Sequence, residues 1–116
     1  MRASRARALA LAMALLLWGG GCERPGNRSA AQLYPRQCAR CHGADGRGNP
    51  VQLSRYPNLD LTRSLARGGD ARAFFRRRIS RGYGPMPGFS RKLNAGEIER
   101  LVDYSLQLAA RPAAGR

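Results

Sequence analysis

Five consecutive residues, Cys38-Ala39-Arg40-Cys41-His42, constrain this chain more than any other feature. Two thiols three positions apart lie on neighbouring faces of one helical turn, so both can bond to one planar group laid against that turn. The next residue is the only histidine of the chain, and it is carried beneath the same group with a ring nitrogen available to a metal. This is the spacing of covalent haem attachment, with one thioether from each cysteine and the imidazole on iron. Rival chemistries fit poorly. A thioredoxin-like dithiol needs a strand before it and a parallel-sheet pattern after it, and neither flank has one. Structural zinc needs about four ligands, and beyond this cluster the chain offers only Cys22. A disulfide between residues so close would stabilise little.

The chain has 116 residues, which implies one domain. Residues 1–21 read as an export signal: Arg2, Arg5 and Arg7 form a basic start, Ala8 to Trp18 an apolar run, and Gly19 to Gly21 a small-residue end. That run is far shorter than the roughly 20 residues of a membrane span. No Arg-Arg pair stands near the start, so general export of an unfolded chain is expected. Cys22 follows the small residues where bacterial lipoproteins carry an acylated cysteine, although Gly19 stands where that signal usually has Leu. Ordinary cleavage, leaving Cys22 as a free thiol, is the alternative. Residues 22–28, with Pro25 and Gly26, then form a tether, 29–111 the folded domain and 112–116 a disordered tail.

Without the signal arginines the chain keeps 18 basic residues against 7 acidic ones. Export argues against nucleic acid as the partner, and aromatics do not interleave with the basic residues as base-stacking surfaces require. Anionic lipid or an acidic protein suits the charge better. Lys92 is the one lysine, so codon bias toward Arg accounts for the charge equally well.

The first helix starts at Ser29 and is expected to kink or restart at Pro35, which lacks an amide proton. Gly43 to Pro50 has loop composition, and its glycines let the backbone pass close to the haem edge. Thr62 caps a short turn over 64–66, ended by Gly68-Gly69. Asp70 opens a better helix over 71–81, where Ala71, Phe74, Phe75 and Ile79 form the buried stripe and Gly82 is the stop. The last helix begins at Asn94, with Glu97 at capping-box spacing. Its stripe is Ile98, Leu101, Val102, Ser105 and Ala109, while Glu97, Arg100, Asp103 and Gln107 face water. It should cross the first helix at the small residues Ala30 and Ala31.

Between the last two helices, Gly82-Tyr83-Gly84-Pro85-Met86-Pro87-Gly88-Phe89 can be neither helix nor strand. Met86 is the only methionine outside the signal. A methionine flanked by prolines makes a poor flexible core filler. As a thioether ligand to iron it makes sense, because the prolines restrict where its sulfur points.

With these motifs in order, residues 29–110 resemble a single-haem class I cytochrome c of the bacterial periplasmic kind. The resemblance implies an all-α fold of three to four helices and loops wrapped around one covalent haem c. It implies that Cys38 and Cys41 hold the haem, that His42 and Met86 are its axial ligands, and that the Pro57 carbonyl accepts the His42 ring N–H. It also pairs an aromatic before the attachment site, Tyr34, with one in the last helix, Tyr104. With both axial positions filled the iron has no open site, so the expected function is one-electron transfer rather than catalysis. The expected setting is a periplasmic respiratory chain, with redox proteins as partners. Arg81, Arg91 and Lys92, beside the ligand loop, are candidates for docking an acidic partner. Two alternatives stay open: an electron-entry subunit of a dehydrogenase or oxidase, and a gas or redox sensor if Met86 does not ligate.

Overall fold

The computed structural model describes residues 26–112. Among them are six α-helices and one 3-10 turn: α1 (Ala30–Gln37), α2 (Ala39–His42), α3 (Pro50–Leu53), the 3-10 turn Pro57–Leu59, α4 (Leu61–Leu65), α5 (Ala71–Arg81) and α6 (Ala95–Ala110). No strand occurs among the described residues, only an isolated bridge between Tyr83 and Met86. This is the small all-α fold expected from the sequence.

The long helix α6 organises the rest, because α5, α4 and α1 all pack on it. Every residue of the expected stripe is buried, Leu101 and Val102 fully so, and Leu108 and Glu97 are buried with them. Asn94 caps it, accepting the Glu97 N–H at 2.8 Å while the Glu97 carboxylate accepts the Asn94 N–H at 3.2 Å. Helix α5 likewise keeps its expected bounds. Asp70 accepts the Ala73 N–H at 2.9 Å, and Gly82 ends the helix at φ +77°. Phe75 and Ile79 enter the core, and Phe74 is half-buried beside them. Arg72 and Arg76 reach across to Glu99 and Asp103 and tie the outer edges of α5 and α6 together.

Glu97 does not face water. Its side chain is 1% exposed, because Arg28, 69 positions earlier, lays its guanidinium over the carboxylate at 2.8 Å and 3.2 Å. Arg100, also expected in solvent, is half-buried, and its Nε donates to the Arg28 carbonyl at 3.0 Å. Asn94 Nδ2 donates to the Gly26 carbonyl at 2.6 Å. The end of the expected tether is therefore held against the start of α6.

Helix α1 does not restart at Pro35. It passes through Pro35 and breaks three residues later, at Cys38 (φ −122°, ψ −43°). The carbonyl that Pro35 leaves without its helical partner belongs to Ala31, an exposed residue. Ala30 packs against the core, but Ala31 does not, so only one of the two alanines serves the crossing. Tyr34 and Tyr104 meet there with ring centroids 5.1 Å apart. The cap of α4 is Asp60 rather than Thr62. Its carboxylate accepts both the N–H and the hydroxyl of Thr62, at 2.9 Å and 2.6 Å, and starts the helix at Leu61.

Candidate haem-attachment site

The break at Cys38 positions the site. Leaving α1, the chain turns at Cys38, whose own N–H still bonds the Tyr34 carbonyl at 2.9 Å. The Cys38 carbonyl then accepts N–H groups from both Cys41 and His42, at 3.1 Å and 3.0 Å. The two sulfurs and the imidazole thus issue from a single turn. Both cysteines are free thiols and half-buried. Burial, followed by the neighbouring Cys41, pushes the Cys38 thiol up to about 11.

A helix this short leaves its last carbonyls unpaired within the helix. The loop after His42 curls back and satisfies them. Gly48 N–H donates to the His42 carbonyl at 2.7 Å, Asn49 N–H to that of Cys41 at 2.8 Å, and Asn49 Nδ2 to that of Arg40 at 3.1 Å. The Tyr34 hydroxyl donates to the Gly43 carbonyl at 3.1 Å. Gly48 is required by this path. Its φ is +90°, and a Cβ there would lie 2.4 Å from Leu53 Cδ2. Asn49 also caps α3, accepting the Val51 N–H at 3.0 Å.

The imidazole is oriented from the other side of the loop. His42 Nδ1–H donates to the Leu59 carbonyl at 2.8 Å. A carbonyl can only accept, so the proton of the neutral ring sits on Nδ1 and Nε2 keeps its lone pair. Burial lowers the His42 pKa below the ordinary value, opposed by that hydrogen bond, so the neutral ligating form is favoured. The partner is Leu59, not Pro57 as expected. Pro57 begins the 3-10 turn, and its carbonyl accepts the Asp60 N–H at 3.3 Å. The carbonyl two residues on is left to face the ring.

Met86 reaches the core by a separate route. Tyr83 and Met86 exchange two backbone hydrogen bonds of 3.0 Å across Gly84-Pro85, and Phe89 N–H bonds the Ile79 carbonyl at 2.9 Å. At Gly82 a Cβ would lie 2.4 Å from the Met86 carbonyl oxygen. The loop therefore folds tightly onto the end of α5. Met86 is half-buried and packs on the same core cluster as Cys38 and Ala39. Cys22 lies outside the described residues.

Sequence reasoning missed the Leu59 carbonyl, the Arg28–Glu97 pair and helix α3. Only α3 had a local signal, the Asn49-Pro50 pair, since Asn at the cap and Pro at the first helical position favour a helix start. Two free thiols on one turn, and an imidazole whose Nε2 keeps its lone pair, are the donor set that covalent haem needs. The family model for cytochrome C oxidase, cbb3-type, subunit III matches residues 25–104. No curated protein is significantly similar to the chain.

Proposed function

Because the chain belongs to the cbb3-type cytochrome c oxidase subunit III family, whose cytochrome c domain supports haem-based electron transfer, we propose that it is a one-electron carrier with a single haem c and His42/Met86 axial ligands. Haem c, once attached, supplies an iron that changes charge by one electron. The observation that carries the reading is the His42–Leu59 hydrogen bond, at 2.8 Å, on the turn that also presents Cys38 and Cys41. Cys38 and Cys41 are the covalent anchors. Leu59 fixes the ring plane and raises the basicity of Nε2. Met86 offers a soft sulfur on a restricted loop, and a thioether ligand favours the reduced iron. The buried cluster flanking Cys38 and Met86 keeps water from the centre.

The same reading includes export through residues 1–21, acylation at Cys22, a periplasmic, membrane-tethered location and acidic redox partners. The charge of the chain and the placement of its cysteines support it. The family description names an oxidase subunit, and this favours a second reading in which the domain is an electron-entry subunit of a membrane oxidase. Gentle solubilisation followed by sizing separates the two, since a free carrier runs alone and a subunit runs with the assembly.

Optical spectra of the matured protein test the core proposal. A pyridine haemochrome of the two-thioether type and the weak far-red band of a sulfur–Fe(III) bond are expected. Ready binding of carbon monoxide by the reduced wild type would mean that Met86 does not ligate, and a sensor role would then replace electron transfer.

A further inference from the structure

The first described residues are pinned to one end of α6. The Gly26 carbonyl accepts Asn94 Nδ2 at 2.6 Å, the Arg28 guanidinium covers the Glu97 carboxylate at 2.8 Å, and the Arg28 carbonyl accepts Arg100 Nε at 3.0 Å. Cys22 stands four residues before Gly26, and four residues of fully extended chain reach about 14 Å. An anchor on Cys22 therefore lies close to the start of α6. The same place carries charge. Between Phe89 and Asn94 the chain turns, and the Phe89 carbonyl accepts the N–H groups of Lys92 and Leu93 at 2.9 Å each. Phe89 and Leu93 are buried, which leaves Arg91 and Lys92 pointing outward, and both are exposed. Neither has a carboxylate within ion-pairing distance among the described residues. Glu97, the acid nearest to them in sequence, is 1% exposed and taken up by Arg28. In the tether, Glu23 and Arg24 offset each other. The positive end of the α6 dipole adds to the same sign.

We propose that the Phe89–Asn94 turn is the face this domain lays on an anionic lipid surface, with Arg91 and Lys92 among the headgroups. The proposal rests on the acylation of Cys22 put forward above. A lipid there brings the bilayer within tether reach of Gly26, and lipid phosphates supply the anions that the turn lacks. Attraction to a charged surface dies away within a Debye length, about 10 Å at 0.1 M salt, so only cations held close to the bilayer contribute. Basic residues elsewhere on the domain are out of that range. From Asn94 to Leu108, α6 runs about 21 Å, and Leu61, which opens α4, packs with Gly46 at the Leu108 end. Arg63, two residues beyond Leu61, is exposed there.

Lys92 is the one lysine of the chain, so an amine-acylating reagent reads the turn directly. The test places the matured, haem-loaded protein on vesicles of phosphatidylglycerol and phosphatidylcholine, on vesicles of phosphatidylcholine alone, and in neutral detergent micelles. Mass spectrometry then follows the Lys92 and Cys22 peptides in each sample. Lys92 modification is expected to slow severalfold on the anionic vesicles relative to micelles and far less on the neutral ones. It should recover at high salt and, in part, in Arg91→Gln. Arg63→Gln removes the same charge and should leave the protection intact. Equal Lys92 reactivity on anionic vesicles and in micelles overturns the proposal, as does equal protection by both kinds of vesicle. Lys92 left open on vesicles but shielded by polyglutamate assigns the turn to an acidic protein and overturns it as well. A Cys22 peptide without acyl mass overturns it through its premise, and the same spectra separate that failure from an acylated chain whose Lys92 stays open.

Discussion

Replacing Glu97 with Gln should destabilise the haem-loaded protein and remove part of its acid sensitivity. The carboxylate is 1% exposed and accepts hydrogen bonds from Arg28 Nε at 2.8 Å, Arg28 Nη2 at 3.2 Å and the Asn94 N–H at 3.2 Å. The Arg28 hydrogen bond is the main cause that lowers its pKa from 4.5 to about 2. A shift of that size corresponds to about 3 kcal/mol if nothing screens it. Arg28 is 38% exposed, and screening at that end brings the contribution to about 2 kcal/mol. In Glu97→Gln the amide oxygen keeps one of these bonds, but the amide nitrogen then faces donors. For a domain of this size, about 2 kcal/mol lowers Tm by roughly 8–16 °C. The pKa is depressed in the folded state, so the stabilisation is fully present above pH 4.5 and is lost as pH falls toward about 2. Thermal unfolding by circular dichroism across that range checks both parts. The gap between wild type and Glu97→Gln should be widest near neutrality and close as pH approaches about 2. Equal Tm values near neutrality, or a gap that does not narrow with acid, would refute the reasoning.

Two further substitutions address the attachment turn. Pro57→Ala keeps the backbone carbonyls of residues 57 and 59 and should leave the haem spectrum and potential close to wild type, because the Leu59 carbonyl holds the His42 ring; a large fall in potential would show that the Leu59 carbonyl reaches the ring only when the proline fixes the start of the 3-10 turn. Gly48→Ala places a Cβ 2.4 Å from Leu53 Cδ2 at φ +90°, with an expected cost of about 1–3 kcal/mol and a matching drop in the yield of haem-loaded protein; undiminished yield and Tm would show that the loop can take another path.

What could be read from the sequence was what local chemistry decides. Asp70 and Gly82 bracket α5, Asn94 opens α6, and the spacing of Cys38, Cys41 and His42 puts two thiols and the imidazole on one turn. The errors came from partners distant in sequence or from competition for one group. Glu97 sits on the polar side of its own helix by position, and only Arg28, arriving from the start of the domain, buries it. Pro57 matched the expected pattern, but the 3-10 turn it begins uses its carbonyl locally. Thr62 and Asp60 competed for one helix start, and the carboxylate two residues earlier won by accepting both the N–H and the hydroxyl of the threonine. Pro35 does not end α1, which runs on to Gln37.

The central claim is that a sulfur–iron bond from Met86 completes a closed, electron-transferring haem. Optical spectra of oxidised and reduced wild type and Met86→Ala test it most directly. The account predicts a far-red sulfur band in oxidised wild type, its loss in Met86→Ala, and carbon monoxide binding by the reduced variant alone. A wild type without the band that takes up carbon monoxide as readily as Met86→Ala would contradict it.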